Sequence, residues 1–154
     1  MSDSFRQCAG RKVVSRTSAQ ELGTVTHLLV DAPGRQVTAV IVGKGKKARL
    51  VDWSALSGFG PDAVMVGDDS ALRPPADDRE LDGANGKLDL VGKRVLTERG
   101  NELGSVGDVS FDPATGALET LRVDDREIPA ATLLGSGSYA VIVDDSQEAQ
   151  AQPA

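Results

Sequence analysis

The sequence contains two collinear copies of one pattern, and this repeat constrains the fold more than any other feature. The clearest matches are residues 10–13 (GRKV) with 92–95 (GKRV), 21–25 (ELGTV) with 102–106 (ELGSV), and 63–66 (AVMV) with 140–143 (AVIV). The copies differ in length at one place, where the first has four extra residues around 44–47. Such self-similarity indicates a tandem duplication of one small folding unit.

Each copy has the pattern of short β-strands separated by tight turns. Residues 118–123 (LETLRV) alternate apolar and polar side chains, which is typical of a half-buried strand. The strand before it has apolar residues at 106, 109 and 111, a spacing that indicates a bulge, and Gly107 suits one. Residues 112–116 (DPATG) predict a turn between the two strands. With about five or six short strands per copy, the sequence predicts an all-β fold of two small antiparallel barrels.

The order of motifs within a copy resembles the PRC-barrel domain family. That order is Gly-basic-basic-Val, then Glu-Leu-Gly, a strand that ends in Asp before a turn, a second hairpin, VDW (51–53) or IPA (128–130), and a closing strand. The resemblance covers roughly residues 10–66 and 92–143. It implies a non-catalytic module that binds other proteins. The family includes part of a photosynthetic reaction-centre subunit and a domain of a ribosome-maturation factor, and neither specific role is carried over to this chain.

The repeat predicts the domain organisation. We expect a first barrel at 1–66, an acidic Pro/Gly linker at 67–90, a second barrel at 91–146 and a disordered tail at 147–154. A unit of ~60 residues is only marginally stable by itself, so we expect the barrels to pack together as a pseudo-two-fold pair. The chain is then a monomer that contains an intramolecular pseudo-dimer, and a homo-oligomer is left open.

Composition excludes several classes of function. The net charge of −6 argues against a general polyanion binder, and no stretch approaches the ~18–20 apolar residues that cross a bilayer. The N-terminus has no apolar leader region, so we expect a cytoplasmic protein. Cys8, the only cysteine, aligns with Leu90 and is predicted to be buried, whereas the only histidine, His27, aligns with Asp108 and is predicted to face solvent. We therefore predict no catalytic residue, no metal site and no cofactor.

Charge is divided unevenly between the copies. Residues 1–66 carry nine Lys/Arg and five Asp/Glu, a net charge of +4, whereas residues 67–154 carry eight Lys/Arg and eighteen Asp/Glu, a net charge of −10. The inserted loop of the first copy is basic, and the matching loop of the second copy, residues 124–127 (DDRE), is acidic. The candidate partner-binding residues are Lys44, Lys46, Lys47, Arg49 and the only tryptophan, Trp53. The tryptophan could instead pack at the junction of the barrels.

These observations predict a cytoplasmic binding or adaptor module whose partner is a protein. The alternative is an accessory factor that associates with RNA or the ribosome through the basic surface of the first barrel. A scarcity of aromatic residues to stack on bases argues against this alternative.

Overall fold

The computed structural model describes residues 2–146, so the predicted disordered tail at 147–154 lies outside the described residues. The first half contains, in chain order, β1 (Asp3–Ser4), α1 (Phe5–Cys8), β2 (Lys12–Ser15), β3 (Glu21–Asp31), β4 (Gln36–Val42), β5 (Arg49–Asp52), β6 (Leu56–Phe59) and β7 (Ala63–Val66). Two short 3-10 turns, Gly45–Lys47 and Trp53–Ala55, lie on either side of β5. A third, Asp69–Ala71, follows β7.

The second half repeats this order of strands. It contains α2 (Asp78–Ala84), β8 (Arg94–Thr97), β9 (Glu102–Phe111), β10 (Leu118–Val123), β11 (Arg126–Pro129), β12 (Leu133–Ser136) and β13 (Ala140–Val143). A 3-10 turn at Ala130–Thr132 occupies the position of Trp53–Ala55. The predicted duplication of an all-β unit is confirmed.

Each half forms one sheet with the same strand order. The first sheet runs β5-β4-β3-β2-β7-β6, and the second runs β11-β10-β9-β8-β13-β12. Most pairs are antiparallel, as predicted, but β2 pairs with β7 in parallel and β8 pairs with β13 in parallel. The predicted bulge is present in both copies, because the pairing skips Thr26 in β3 and Gly107 in β9. A bulge bends its strand and increases the local twist, which helps a short sheet to curl into a barrel.

The halves meet through a symmetric pair of backbone hydrogen bonds. The N–H of Val37 donates to the carbonyl of Gly116 at 2.9 Å, and the N–H of Leu118 donates to the carbonyl of Arg35 at 2.9 Å. Val37 and Leu118 are equivalent in the repeat, as are Arg35 and Gly116, so exchanging the two halves exchanges the two bonds. This is the contact expected on a two-fold axis, and it confirms the pseudo-two-fold pair.

A single hydrophobic core joins the two halves. It contains inward-facing strand residues from both sheets, among them Val40, Val64, Leu121 and Val141, each at most 1% exposed. Burial of these side chains favours packing of the two barrels against each other, because a unit of ~60 residues is only marginally stable alone.

The segment predicted as a loop, residues 67–90, contains the helix α2. The carboxylate of Asp77 caps this helix by accepting a hydrogen bond from the N–H of Glu80 at 2.8 Å. Ala84, at the end of the helix, is 3% exposed and packs in a cluster with Leu29 and Ile41 on the outer face of the first sheet. The loop prediction was wrong here because an acidic run after a capping Asp also favours a helix N-terminus, and the sheet supplies the apolar surface that stabilises so short a helix.

The N-terminal segment belongs to the second sheet. The strand β1 pairs with Ser110 and Phe111 of β9, although residues 1–66 were predicted to form the first barrel. Asp3 in β1 makes an ion pair with Arg11, with 2.6 Å between Oδ2 and Nη1, and both side chains are nearly buried. The segment therefore ties the second sheet to the beginning of the first.

Candidate binding surfaces

The basic loop, defined here as residues 43–49, projects three lysines from the first barrel. Lys44, Lys46 and Lys47 are exposed, and no acidic group within residues 2–146 forms an ion pair with any of them. The loop closes as a 3-10 turn in which the N–H of Lys47 donates to the carbonyl of Lys44 at 3.2 Å. Three uncompensated ammonium groups on one tight turn form a local positive potential on a chain whose net charge is −6.

Two residues fix the shape of the basic loop. Ala48 is 1% exposed and packs into the outer cluster beneath α2, which anchors the end of the loop. The Nη1 of Arg49 donates to the carbonyl of Ala48 at 2.9 Å and to that of Lys46 at 3.5 Å. Arg49, a predicted binding residue, therefore supports the turn that presents the three lysines.

Trp53 lies at the junction of the barrels. Its ring stacks on Phe59 with 5.3 Å between ring centroids, and its edge meets Phe111 of the second half at 6.3 Å. The side chain also covers Gly116, where an added Cβ would come within 2.9 Å of the indole. Trp53 is half-buried, so it packs at the junction and still reaches the surface.

The structure brings together aromatic residues that the sequence did not connect. Three phenylalanines, Phe5, Phe59 and Phe111, lie with Trp53 at the junction. The ring centroid of Phe111 is 5.5 Å from that of Phe59 and 5.6 Å from that of Phe5. These residues are far apart in the chain, and only the pairing of β1 with β9 and the two-fold contact bring them together.

A cavity of about 200 Å³ lies where the N-terminal segment, β3 and the entry to the second half meet. Cys8 and His27 both line it. Cys8 is 1% exposed, as predicted, and its thiol donates to the carbonyl of Phe5 at 3.3 Å. Burial raises the pKa of this thiol to about 12, and a thiol that stays protonated at neutral pH is a poor nucleophile.

The environment of His27 differs from the prediction. Its side chain is 23% exposed, and its Nδ1 lies 2.9 Å from Oδ2 of Asp89, in the segment that enters the second half. The alignment with Asp108 failed as a guide because the equivalent carboxylate has a different neighbour and accepts a hydrogen bond from the backbone N–H of Arg6. His27 thus makes a polar contact between the first barrel and the segment that leads to the second.

Other acidic groups act as turn caps. Oδ1 of Asp68 accepts from the N–H of Ser70 at 2.9 Å, and Oδ1 of Asp144 accepts from the N–H of Ser146 at 3.0 Å. Within residues 2–146, no group of three or more His, Cys, Asp and Glu side chains is placed to hold a metal ion. In the same part of the chain, no helix is long and apolar enough to cross a membrane.

Two barrels of the same strand order around a pseudo-two-fold axis define a duplicated β-barrel module. A family profile of the PRC-barrel domain matches the sequence twice, at residues 3–73 and 88–147. The chain belongs to the PRC-barrel family and contains two copies of its domain. A search of curated proteins gave no match.

Proposed function

We propose that this protein is a non-catalytic adaptor that binds a protein partner through the basic loop of its first barrel. The observation that carries the proposal is the geometry of that loop, in which Lys44, Lys46 and Lys47 project from a turn anchored by Ala48 and Arg49. A preformed loop loses little conformational entropy on binding, so its charges are available at low cost. The partner is expected to present an acidic surface, and opposite charges would also speed its association.

The extra residues of the basic loop are not needed for the strand arrangement that the two copies share. The second copy makes the same hairpin with four fewer residues, so the extra length is not needed to join β4 to β5. The second copy has Asp124 and Asp125 in its turn, which reverses the charge. A surface that distinguishes two otherwise equivalent barrels is a suitable place for a function that only one barrel performs.

Binding of RNA is the alternative occupant of the same surface. Single-stranded nucleic acid is usually held by aromatic side chains beside basic ones. Phe5, Trp53, Phe59 and Phe111 pack at the junction, and Tyr139 of the second barrel stacks under Arg94 with 4.8 Å to the ring centroid. The basic loop contains no aromatic residue, which favours a protein partner. We also propose that the protein is cytoplasmic.

The test uses two variants of the full chain that change the net charge equally. In the loop variant, Lys44, Lys46 and Lys47 become Glu. In the control variant, Arg16, Lys87 and Arg122, which are exposed outside the loop, become Glu. Both variants and the wild type are used as bait in lysate of the source cells, with and without nuclease, and captured proteins are quantified by mass spectrometry.

We expect protein partners that resist nuclease, are lost from the loop variant and are kept by the control variant. The melting temperature of the loop variant should be close to that of the wild type, because surface charges usually change stability by less than ~0.5 kcal/mol. Capture that disappears with nuclease would support the RNA alternative. Equal capture by both variants would contradict any role of the loop.

A further inference from the structure

A shallow groove of about 590 Å³ crosses the junction between the two barrels. The pseudo-two-fold axis relates it to the region around Arg35 on the other side of the junction. Trp53 and the four residues of β6 form one wall, and Pro113 and Ala114 of the second barrel form the other. The groove thus combines one edge of the first sheet with the turn between β9 and β10. It is open to solvent and separate from the residues of the basic loop.

The aromatic wall of the groove is not required by the fold. Trp53 and Phe59 stack with an interplanar angle of 28°, and their equivalents in the second copy are Ala130 and Ser136. The second barrel therefore makes the same strand and turn without any aromatic ring. Within residues 2–146, the indole N–H of Trp53 has no hydrogen-bond acceptor, and it is not among the fully buried polar atoms. A flat aromatic surface with an unused donor suits recognition of an extended segment.

The pseudo-two-fold axis shows what occupies the matching position on the other side. There, Nε of Arg35 donates to the carbonyl of Leu133 at 3.2 Å, across the junction. The equivalents of these residues are Gly116 and Leu56. Glycine has no side chain to reach across, and no side chain of residues 2–146 donates to the carbonyl of Leu56, a residue of the groove wall. The protein supplies an arginine on one side of the axis and lacks it on the other.

The surroundings of the groove are compatible with a cation. None of the residues that line it is charged. The guanidinium group of Arg11 already lies over the ring of Phe59, 5.3 Å from the centroid, and its charge is paired with Asp3. Asp112 begins the turn that forms the second wall, and its Oδ1 accepts from the N–H of Ala114 at 2.9 Å. The second barrel, which contains this turn, has five Lys/Arg and ten Asp/Glu in residues 91–146, a net charge of −5. The faces of aromatic rings also attract cations, and the planar guanidinium group of arginine stacks on them.

We propose that this groove binds an arginine side chain carried by an extended segment of a protein partner. The guanidinium group stacks on Trp53 and donates to the carbonyl of Leu56, as Arg35 does to that of Leu133. The acidic second barrel attracts the cation, and the indole N–H of Trp53 can donate to a backbone carbonyl of the segment. This site is independent of the basic loop, which would bind an acidic surface.

The experiment uses the full chain labelled with ¹⁵N. Trp53 is the only tryptophan, so its indole N–H gives a single identifiable NMR signal. The probe is a blocked peptide of glycine and serine that carries one arginine, and the matched peptides carry lysine or citrulline in its place. A fourth peptide is rich in proline and has no basic residue. Titrations are made at about 150 mM salt, where weak attraction between distant charges is screened.

The arginine peptide is expected to shift the indole signal and the backbone amides of Leu56–Phe59 with one dissociation constant. The lysine peptide should bind about two- to fivefold more weakly, because it loses the planar stacking on the rings. The citrulline peptide, which lacks the charge, should bind more weakly still. Equal binding of the arginine and citrulline peptides, an unchanged indole signal, or equally tight binding of the proline-rich peptide would overturn the proposal.

Variants at Ser57, an exposed residue of the groove, separate specific binding from general attraction. Ser57→Asp should strengthen binding of the arginine peptide, and Ser57→Lys should weaken it. The loop variant described above, K44E/K46E/K47E, should bind the peptide as the wild type does. If Ser57→Lys had no effect, or if the loop variant changed binding as much as the Ser57 variants, the peptide would not be in the groove. Neither result would affect the proposed function of the basic loop.

Discussion

The outer faces of the two sheets are made of equivalent positions and have opposite character. On the first sheet they are apolar and buried: Leu29, Ala39, Ile41, Ala48 and Leu50. On the second sheet the equivalent residues are all polar: Ser110, Thr120, Arg122, Asp125 and Glu127. The helix α2 covers the first face, with Ala84 and Leu88 packed against it. Within residues 2–146, only the first sheet has such a cover, and the two copies differ at all five of these positions.

This difference shows how the segment that connects the barrels has become part of the fold of the first one. A β-sheet that is covered on both faces is apolar on both, whereas a sheet with one exposed face alternates. The strand β4 (VTAVIV within Gln36–Val42) is nearly continuous in apolar residues, and β10 (LETLRV) alternates. The connection between the barrels, predicted as an acidic linker, is thus tied to the first barrel through its helix.

The largest effect on stability is expected when Ile41 of the first barrel is replaced by the residue at the equivalent position of the second barrel. Ile41 is fully buried under α2, and its equivalent, Arg122, is exposed. The substitution Ile41→Arg places an unpaired charge in an apolar cluster and should destabilise the protein by about 3–5 kcal/mol. Urea unfolding followed by circular dichroism measures the loss. A change below about 1 kcal/mol would show that α2 does not cover this face in solution.

A pH-dependent effect is expected at the contact that holds the start of α2. The carboxylate of Glu80 accepts from Nη1 and Nη2 of Arg73 at 2.7 Å, and Arg73 also contacts Asp52, whose equivalent in the second copy is Pro129. The hydrogen bond from Arg73 lowers the pKa of Glu80 to about 2, from a normal value of 4.5. Because the folded pKa is depressed, the stabilisation is present above pH 4.5 and is lost as the pH falls towards 2.

The variant Glu80→Gln removes this titration. The difference in unfolding free energy between wild type and variant should be largest near neutral pH and should shrink between pH 4.5 and about 2, where the wild type loses the charged contact. Urea unfolding at a series of pH values gives the difference. Asp82→Asn in the same helix, where the carboxylate is 3.9 Å from Lys87, is the control with an exposed pair. A constant difference at all pH values would contradict the assigned contact.

A smaller effect is expected from the cap of the helix. Asp77→Ala removes the acceptor for the N–H of Glu80 and should cost about 1 kcal/mol, in the range for a helix N-cap. Asp77→Asn keeps an acceptor and should recover most of the loss. If alanine and asparagine variants had equal stability in thermal unfolding, the cap would not contribute to the cover.

The smallest effect is expected on the bare face of the second sheet. Arg122→Ile gives the second barrel the residue of the first, but no helix within residues 2–146 covers that position. Stability should change by less than about 0.5 kcal/mol, as for most surface substitutions. Thermal unfolding of this variant beside Ile41→Arg compares the same exchange in both directions. A large stabilisation by Arg122→Ile would mean that an apolar surface also covers the second face.

The repeat made much of the fold predictable. Matching residues identified the strands, and the bulge followed from the spacing of Val106, Val109 and Phe111. The pairing of the N-terminal segment with the second sheet was not predictable, because a two-residue strand such as β1 has no periodic pattern. The helix α2 was missed although Asp77 is a typical cap. Pro74 and Pro75 before the helix, one Gly-containing pair inside it and another directly after it all favour a loop.

The candidate surfaces were predictable to different degrees. The lysines of the basic loop could be found from charge and from the difference in length between the copies. The role of Arg49 as a support required the positions of the loop carbonyls. The groove beside Trp53 required both halves, because Pro113 and Ala114 meet β6 only through the two-fold contact.

The central claim is that the two barrels form one cooperative unit around the pseudo-two-fold axis. Urea unfolding of the ¹⁵N-labelled full chain, followed residue by residue, tests it most directly. Val40 lies in the core of the first barrel, and Leu121 is its equivalent in the second. We predict that the native signals of these two residues disappear at the same urea concentration and with the same slope. Separate midpoints, with one barrel still folded after the other has unfolded, would contradict the claim.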